Sequence, residues 1–190
     1  MKKEVLLKIA RAAIAEAIGV PYPLDLDEML QSHPWLKEDG ACFVTLTIGE
    51  YEMLRGCIGS IVAHRPLYED LIHNAKAAAL DDPRFPSLSK EEFDKITIEV
   101  SILTPPQEVH YSSIEELESK IRAGKDGVIL KHDTAHQATY LPQVWEQLPD
   151  FKSFFMHLCM KAGMGMECLA FHPQIFTYQV EEYKEVKSEE

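Results

Sequence analysis

Two apolar, β-branched runs, Ala41 to Ile48 and Met53 to Ile61, are separated only by Gly49-Glu50-Tyr51-Glu52, and this spacing constrains the fold more than any other feature of the chain. A loop that short suits a hairpin, whereas a parallel crossover needs roughly a dozen residues or more. The two runs are therefore predicted to pair antiparallel. A third run, Ile96 to Leu103, alternates Ile96, Ile98, Val100 and Ile102 with more polar neighbours, the period-two signature of a strand with one wetter face. Pro105-Pro106 ends it.

Helices are predicted between these strands. From Lys2 to Ile18, Val5, Leu6, Ile9, Ala13 and Ile14 recur at helical spacing, and Gly19 ahead of Pro21 supplies a stop. Pro66 opens a second helix over Leu67 to Leu80, whose Ala75, Ala78 and Ala79 suit close packing on a sheet. Ser113 caps a short acidic helix reaching about Ile121, and Phe151 to Lys161 forms the last helix, with Gly163 at its C′ position. Strands are expected at Val128 to Lys131, at about Gln137 to Leu141 and within Phe171 to Val180. Tyr22 to Gly40 reads as a surface connection. Hairpins mixed with separate helices argue for an α+β domain over residues 1–180, and the acidic segment 181–190 is expected to be frayed.

Charge and composition narrow the function. The chain of 190 residues carries 19 Lys and Arg against 31 Asp and Glu, a net charge of −12, which opposes binding to nucleic acid. No run approaches the roughly eighteen apolar residues of a membrane span, and no secretory leader is recognised at the N-terminus. Cys42, Cys57, Cys159 and Cys168 form no C-x-x-C pair and are expected as reduced thiols in a cytoplasm. P-loop, dinucleotide-binding, serine-hydrolase and radical-SAM signatures are all missing, and no cofactor is expected.

The most unusual segment is Leu54-Arg55-Gly56-Cys57-Ile58-Gly59, in which an arginine and a thiol share a strand of glycines and aliphatics. Strict alternation puts Arg55 and Cys57 on one face, where the guanidinium would favour the thiolate. Gly56 and Gly59 would admit another backbone, admit a ligand, or bend the strand. The alternative is a buried thiol that behaves as a small hydrophobe, with Arg55 reaching a carboxylate at the rim. Asp82-Pro83-Arg84-Phe85-Pro86 is a rigid loop that either holds Asp82 and Arg84 toward an anionic ligand or pairs them locally. His132, Asp133 and His136 carry ligand types without a second ligand pair and are read as a solvated turn, so no metal site is predicted. His157, Met160, Met164 and Met166 are read as packing or surface residues.

These residues resemble the AMMECR-type domain family, known in prokaryotes as AmmeMemoRadiSam system protein A. The hallmark Leu54 to Gly59 stands intact, with Phe43-Val44-Thr45-Leu46 before it and Pro66-Leu67 after it. Asp82 to Pro86, Glu99-Val100-Ser101, Gly124 to Leu130, Leu141-Pro142-Gln143-Val144 and Lys161-Ala162-Gly163 then follow in the family's order. Ser87, where a further proline is common, and Met164-Gly165-Met166, in place of a leucine-containing turn, are small departures. The resemblance implies an α+β fold of two subdomains of antiparallel sheet with packed helices. It also implies work beside a Memo-like protein, related to extradiol dioxygenases, and a radical-SAM enzyme. It supplies no reaction.

Two functions remain open on the sequence, and whether the chain is an enzyme is not decided there. In the first, the chain is an accessory or substrate-binding component with a cleft around Arg55, Gly56, Cys57, Gly59, Asp82 and Arg84 for a small-molecule or peptide ligand. In the second, Cys57 is the nucleophile or carrier of a cysteine-dependent enzyme.

Overall fold

The computed structural model describes residues 1–186 and divides into two compact units, residues 1–103 with the chain from 181, and residues 104–180. Both are α+β, and each holds an antiparallel, open sheet of four strands.

The first unit starts with helix α1 (Lys2–Ile18) and the short helix α2 (Leu26–Ser32), capped by the Asp25 carboxylate accepting from Glu28 N–H at 3.1 Å. Strands β1 (Ala41–Ile48) and β2 (Met53–Gly59) form the expected hairpin; helix α3 (Leu67–Leu80) and strand β3 (Ile96–Leu103) follow. The sheet is completed by β8 (Val180–Lys184), giving the order β2-β1-β3-β8. Val44, Leu46, Ile98 and Val100 turn one face toward Leu6, Ile9, Ile14, Leu71 and Ala75, all but excluded from solvent. Each such aliphatic side chain contributes about 1.5–3 kcal/mol by leaving water.

Strand β8 corrects the expectation that the acidic segment 181–190 is frayed. Glu185 accepts Arg11 Nε and Nη2, both at 2.8 Å, and Ile98 N–H at 2.8 Å, while Arg11 also donates to the carbonyls of Phe93 and Ile96. One internal arginine thus fastens a segment too polar to hold itself by burial. The remainder of the expected tail, 187–190, lies outside the described residues.

The second unit contains β4 (Gln107–Val109), α4 (Ile114–Lys120), β5 (Gly127–Lys131), β6 (Gln137–Tyr140), α5 (Phe151–Lys161) and β7 (Gln174–Tyr178), with sheet order β4-β7-β5-β6. Its core is aromatic. Trp145 stacks on Phe154 with centroids 3.6 Å apart and donates its indole N–H to the Asp126 carbonyl at 2.8 Å. The expectation that all four cysteines are reduced is also corrected, because Cys159 and Cys168 form a disulfide and only Cys42 and Cys57 are free.

Candidate functional site

Strand β2 is an edge strand, and a β-bulge shapes it. Leu46 pairs with Gly56 and Thr47 with Leu54, so Arg55 is the extra residue that the ladder leaves out. The bulge breaks the alternation that would have set Arg55 beside Cys57. Arg55 is instead buried: Nε and Nη2 grip Glu92 at 2.8 and 3.1 Å, and Nη2 also donates to the Pro86 carbonyl at 2.8 Å. Its guanidinium lies 5.9 Å from the centre of the Phe85 ring, and Nη1 has no hydrogen-bond partner among the described residues. Held by Arg55 and by Ser89, Glu92 is acidified to about 2.

Both hallmark glycines are explained by internal packing. A Cβ on Gly56 would sit 2.1 Å from the Ala78 carbonyl oxygen, so the glycine lets α3 lie on the strand. A Cβ on Gly59 would meet the Phe43 ring at 2.1 Å; Phe43 is its cross-strand partner and covers it. Of the readings left open for these glycines, close approach within the protein is the one found.

Beyond the bulge, Cys57 returns to the ladder opposite Thr45, which pairs on its other side with Glu99. Cys57, Thr45 and Glu99 thus form a row on the sheet face turned away from α1 and α3. The Cys57 Sγ and Thr45 Oγ1 atoms are 3.3 Å apart. Asp82 closes the free edge: its Oδ2 accepts the Cys57 backbone N–H at 3.0 Å. The same carboxylate receives Arg84 Nε and Nη2 at 3.0 and 2.8 Å and the Arg84 N–H at 3.1 Å. Arg84 holds Asp82 far below the usual carboxylate range, while 55% of the Arg84 side chain faces solvent.

Of the two readings left open for Cys57, the electrostatics favour the buried thiol over the activated one. Burial pushes the Cys57 thiol up; the Thr45 hydrogen bond and Arg84 oppose this, and Asp82 and Glu99 reinforce it. Arg84, rather than Arg55, is the guanidinium that acts on the sulfur. Glu99 is also raised, first by burial and then by Glu182, with Glu52 adding to the effect and Lys184 countering it. The row thus sets a hydroxyl between a thiol and a carboxyl that are both raised above their ordinary values.

A second polar cluster escaped sequence reasoning. Asp70, fully buried, accepts Ser60 Oγ at 2.7 Å, Arg65 Nε at 2.8 Å, Cys42 N–H at 3.0 Å and Asn74 Nδ2 at 3.1 Å. Its signal was available, since Asp70 and Asn74 occupy the apolar face of α3 at i and i+4. With every oxygen satisfied by protein donors, the cluster pins the start of β1 to α3.

Three histidines have hydrogen-bond partners other than Cys57. His64 Nδ1 lies 3.1 Å from the Val62 carbonyl, His157 Nδ1 lies 2.8 Å from the Ser153 carbonyl, and His136 Nδ1 lies 2.9 Å from Asp133 in an exposed turn. Among the described residues no group of three or more His, Cys, Asp or Glu side chains is arranged to hold a metal ion, and no helix is long and apolar enough to cross a membrane. A cleft of about 1100 Å³ in the first unit is lined by Arg11, Tyr22, Phe93, Thr97 and Glu185, and not by Cys57, Asp82 or Arg84.

Residues 7–183 match the family model described as AMMECR1. A relative from Sulfurisphaera tokodaii is 44% identical over 170 residues, 87% of this chain and 74% of its own length. One from Thermofilum pendens is 36% identical over 189 residues, 90% of this chain and 87% of its own. The crystal structure of an uncharacterised protein from Pyrococcus horikoshii superposes with a TM-score of 0.82 at 34% identity, covering 95% of this chain and 89% of that one.

Proposed function

The chain belongs to the AMMECR1 family, and on that premise we propose that it is an accessory, substrate-binding component that works in the cytoplasm with a Memo-like protein and a radical-SAM enzyme. One observation carries the reading: the hallmark's reactive-looking groups are engaged inside the protein. Arg55 is held by Glu92, the two glycines are occupied by Ala78 and Phe43, and the Asp82 carboxylate takes the Cys57 amide. Arg84 and the half-exposed Phe85 remain facing outward from a loop that two prolines stiffen. Such a surface recognises a partner or a partner-held ligand through a stacked guanidinium and ring, whose centre is 5.4 Å from Arg84 Cζ.

Burial of the Cys57 thiol supports binding over nucleophilic catalysis, since the thiolate rather than the thiol attacks. Titration calorimetry of the purified chain against a Memo-like protein and a radical-SAM enzyme from one genome tests the proposal. Saturable binding to either, weakened about tenfold or more by Arg84→Met at roughly 1.4 kcal/mol per tenfold, is expected. Absence of binding to both, together with turnover that Cys57→Ser abolishes, would establish the enzyme reading instead.

A further inference from the structure

Two guanidiniums lie over one aromatic ring. The Cζ atoms of Arg55 and Arg84 are 5.9 and 5.4 Å from the centre of Phe85. That ring is half-exposed and belongs to neither of the two apolar core clusters. A half-exposed ring that no core holds turns aside by side-chain rotation, among the fastest motions of a folded chain. Arg55, by contrast, is 6% exposed, and its Nη1 is buried without a hydrogen-bond partner among the described residues.

Both arginines are gripped along the same edge. Glu92 takes Nε and Nη2 of Arg55, and Asp82 takes Nε and Nη2 of Arg84. These bonds balance each charge but leave the two Nη1 ends over. A buried donor with no acceptor is a costly defect, and an ordered water, an ion or a ligand is what ordinarily explains one. Water brings a neutral acceptor oxygen. An oxyanion brings several charged ones, in the planar or tetrahedral array that guanidinium groups recognise best.

We propose that an oxyanion, carboxylate or phosphate, displaces the Phe85 ring and binds the Nη1 end of Arg55 together with Arg84. This deepens, and rests on, the reading of the 82–86 loop as a recognition surface, by naming the chemistry the surface takes. The loop suits the exchange. Pro83 and Pro86 stiffen its backbone, and Phe85 N–H donates to the Asp82 carbonyl at 3.1 Å, so the ring leaves while Arg84 stays beside Asp82. The displaced ring stands at the surface, open to stacking by whatever carries the oxyanion. Because Asp82 and Glu92 already balance the two arginines, a free ion binds weakly and the rest of its carrier supplies the remaining affinity.

The test is titration of the purified chain at constant ionic strength with inorganic phosphate and, separately, with propionate, into the tens of millimolar. Binding is read from the side-chain N–H signals of isotope-labelled arginine by nuclear magnetic resonance, with Arg55→Lys and Arg84→Met assigning the two signals. Saturable shifts of both signals are expected, and the ion that produces them tells a phosphoryl source from a carboxylate one. Phe85→Ala carries the assignment, because the ring lies outside both cores; it should tighten ion binding about tenfold, there being no ring left to displace. Three results would each overturn the proposal: no saturation by either ion, a shift of the Arg84 signal alone, or unchanged or weaker binding in Phe85→Ala. Loss of ion binding with partner binding retained counts against the oxyanion site alone, whereas intact ion binding without partner binding counts against the partner assignment.

Discussion

The Asp82 carboxylate accepts the Cys57 backbone N–H at 3.0 Å, so the edge strand that carries the hallmark cysteine is closed by a side chain 25 residues downstream. An uncovered edge strand is a template for pairing with another chain, and Asp82 with its loop blunts it. Asp82→Ala leaves that amide unpaired and frees Arg84. It should cost about 1.5–3 kcal/mol, the range for hydrogen bonds to a charged group. Denaturant unfolding measures the loss, and hydrogen exchange at the Cys57 amide should accelerate; an unchanged midpoint would remove the capping role.

Gly56→Ala drives a methyl group to within 2.1 Å of the Ala78 carbonyl oxygen, which belongs to backbone and cannot rotate away. Overpacking of this kind costs about 1–3 kcal/mol and forces α3 off the strand. A lowered melting temperature with slow, unaltered alkylation of Cys57 is expected. Wild-type stability would show that α3 gives way freely.

Glu92→Gln removes the charge that balances Arg55, whose side chain is only 8% exposed. Loss of the two-point grip should destabilise by about 1.5–3 kcal/mol, measured by urea unfolding near neutral pH. The difference between this variant and the unmodified chain should shrink as the pH approaches 2, where Glu92 itself is about half protonated.

The pH dependence of stability has two opposing parts. Asp82 and Glu92 titrate below their unfolded values, Glu92 at about 2, so their contribution is present above roughly pH 4 and is lost as the pH falls through the folded values. Glu99 is raised by burial and by Glu182, so its contribution is present below its unfolded value and is lost as the pH rises through the folded one. Glu99→Gln should flatten the fall in stability as the pH rises above the unfolded carboxylate value of about 4.3, while leaving intact the loss on the acid side that comes from Asp82 and Glu92. A profile that Glu99→Gln leaves unchanged above the ordinary carboxylate range would contradict the upward shift of Glu99.

Long periodic elements were legible because one period governed them throughout. Helices α1, α3 and α5 and strands β1 and β3 stand where the spacing of apolar residues put them. Strand β8 was missed because Val180-Glu181-Glu182-Tyr183-Lys184 has no apolar alternation and depends on Arg11 gripping Glu185, a contact no local pattern encodes. Helix α2 was missed although Asp25 stands three residues before Glu28, the spacing of an N-terminal cap. Strand β4 is too short, at three residues after two prolines, to show any period. At the site, Asp82 joins the Cys57 amide to Arg84, while a bulge carries Arg55 away to Glu92. A bulge is a property of pairing register, so it is invisible until the partner strand is known.

The hallmark strand acts as a scaffold whose Cys57 thiol is raised above its ordinary value by burial. The most direct test of this is the rate of intact-mass alkylation across about pH 5–10, with Cys57→Ser assigning the site. The account predicts slow modification of Cys57 with a midpoint above the ~8.5 of a free thiol, as expected for a thiol raised by burial. Fast modification with a midpoint below about 7 would contradict it and make Cys57 an activated nucleophile.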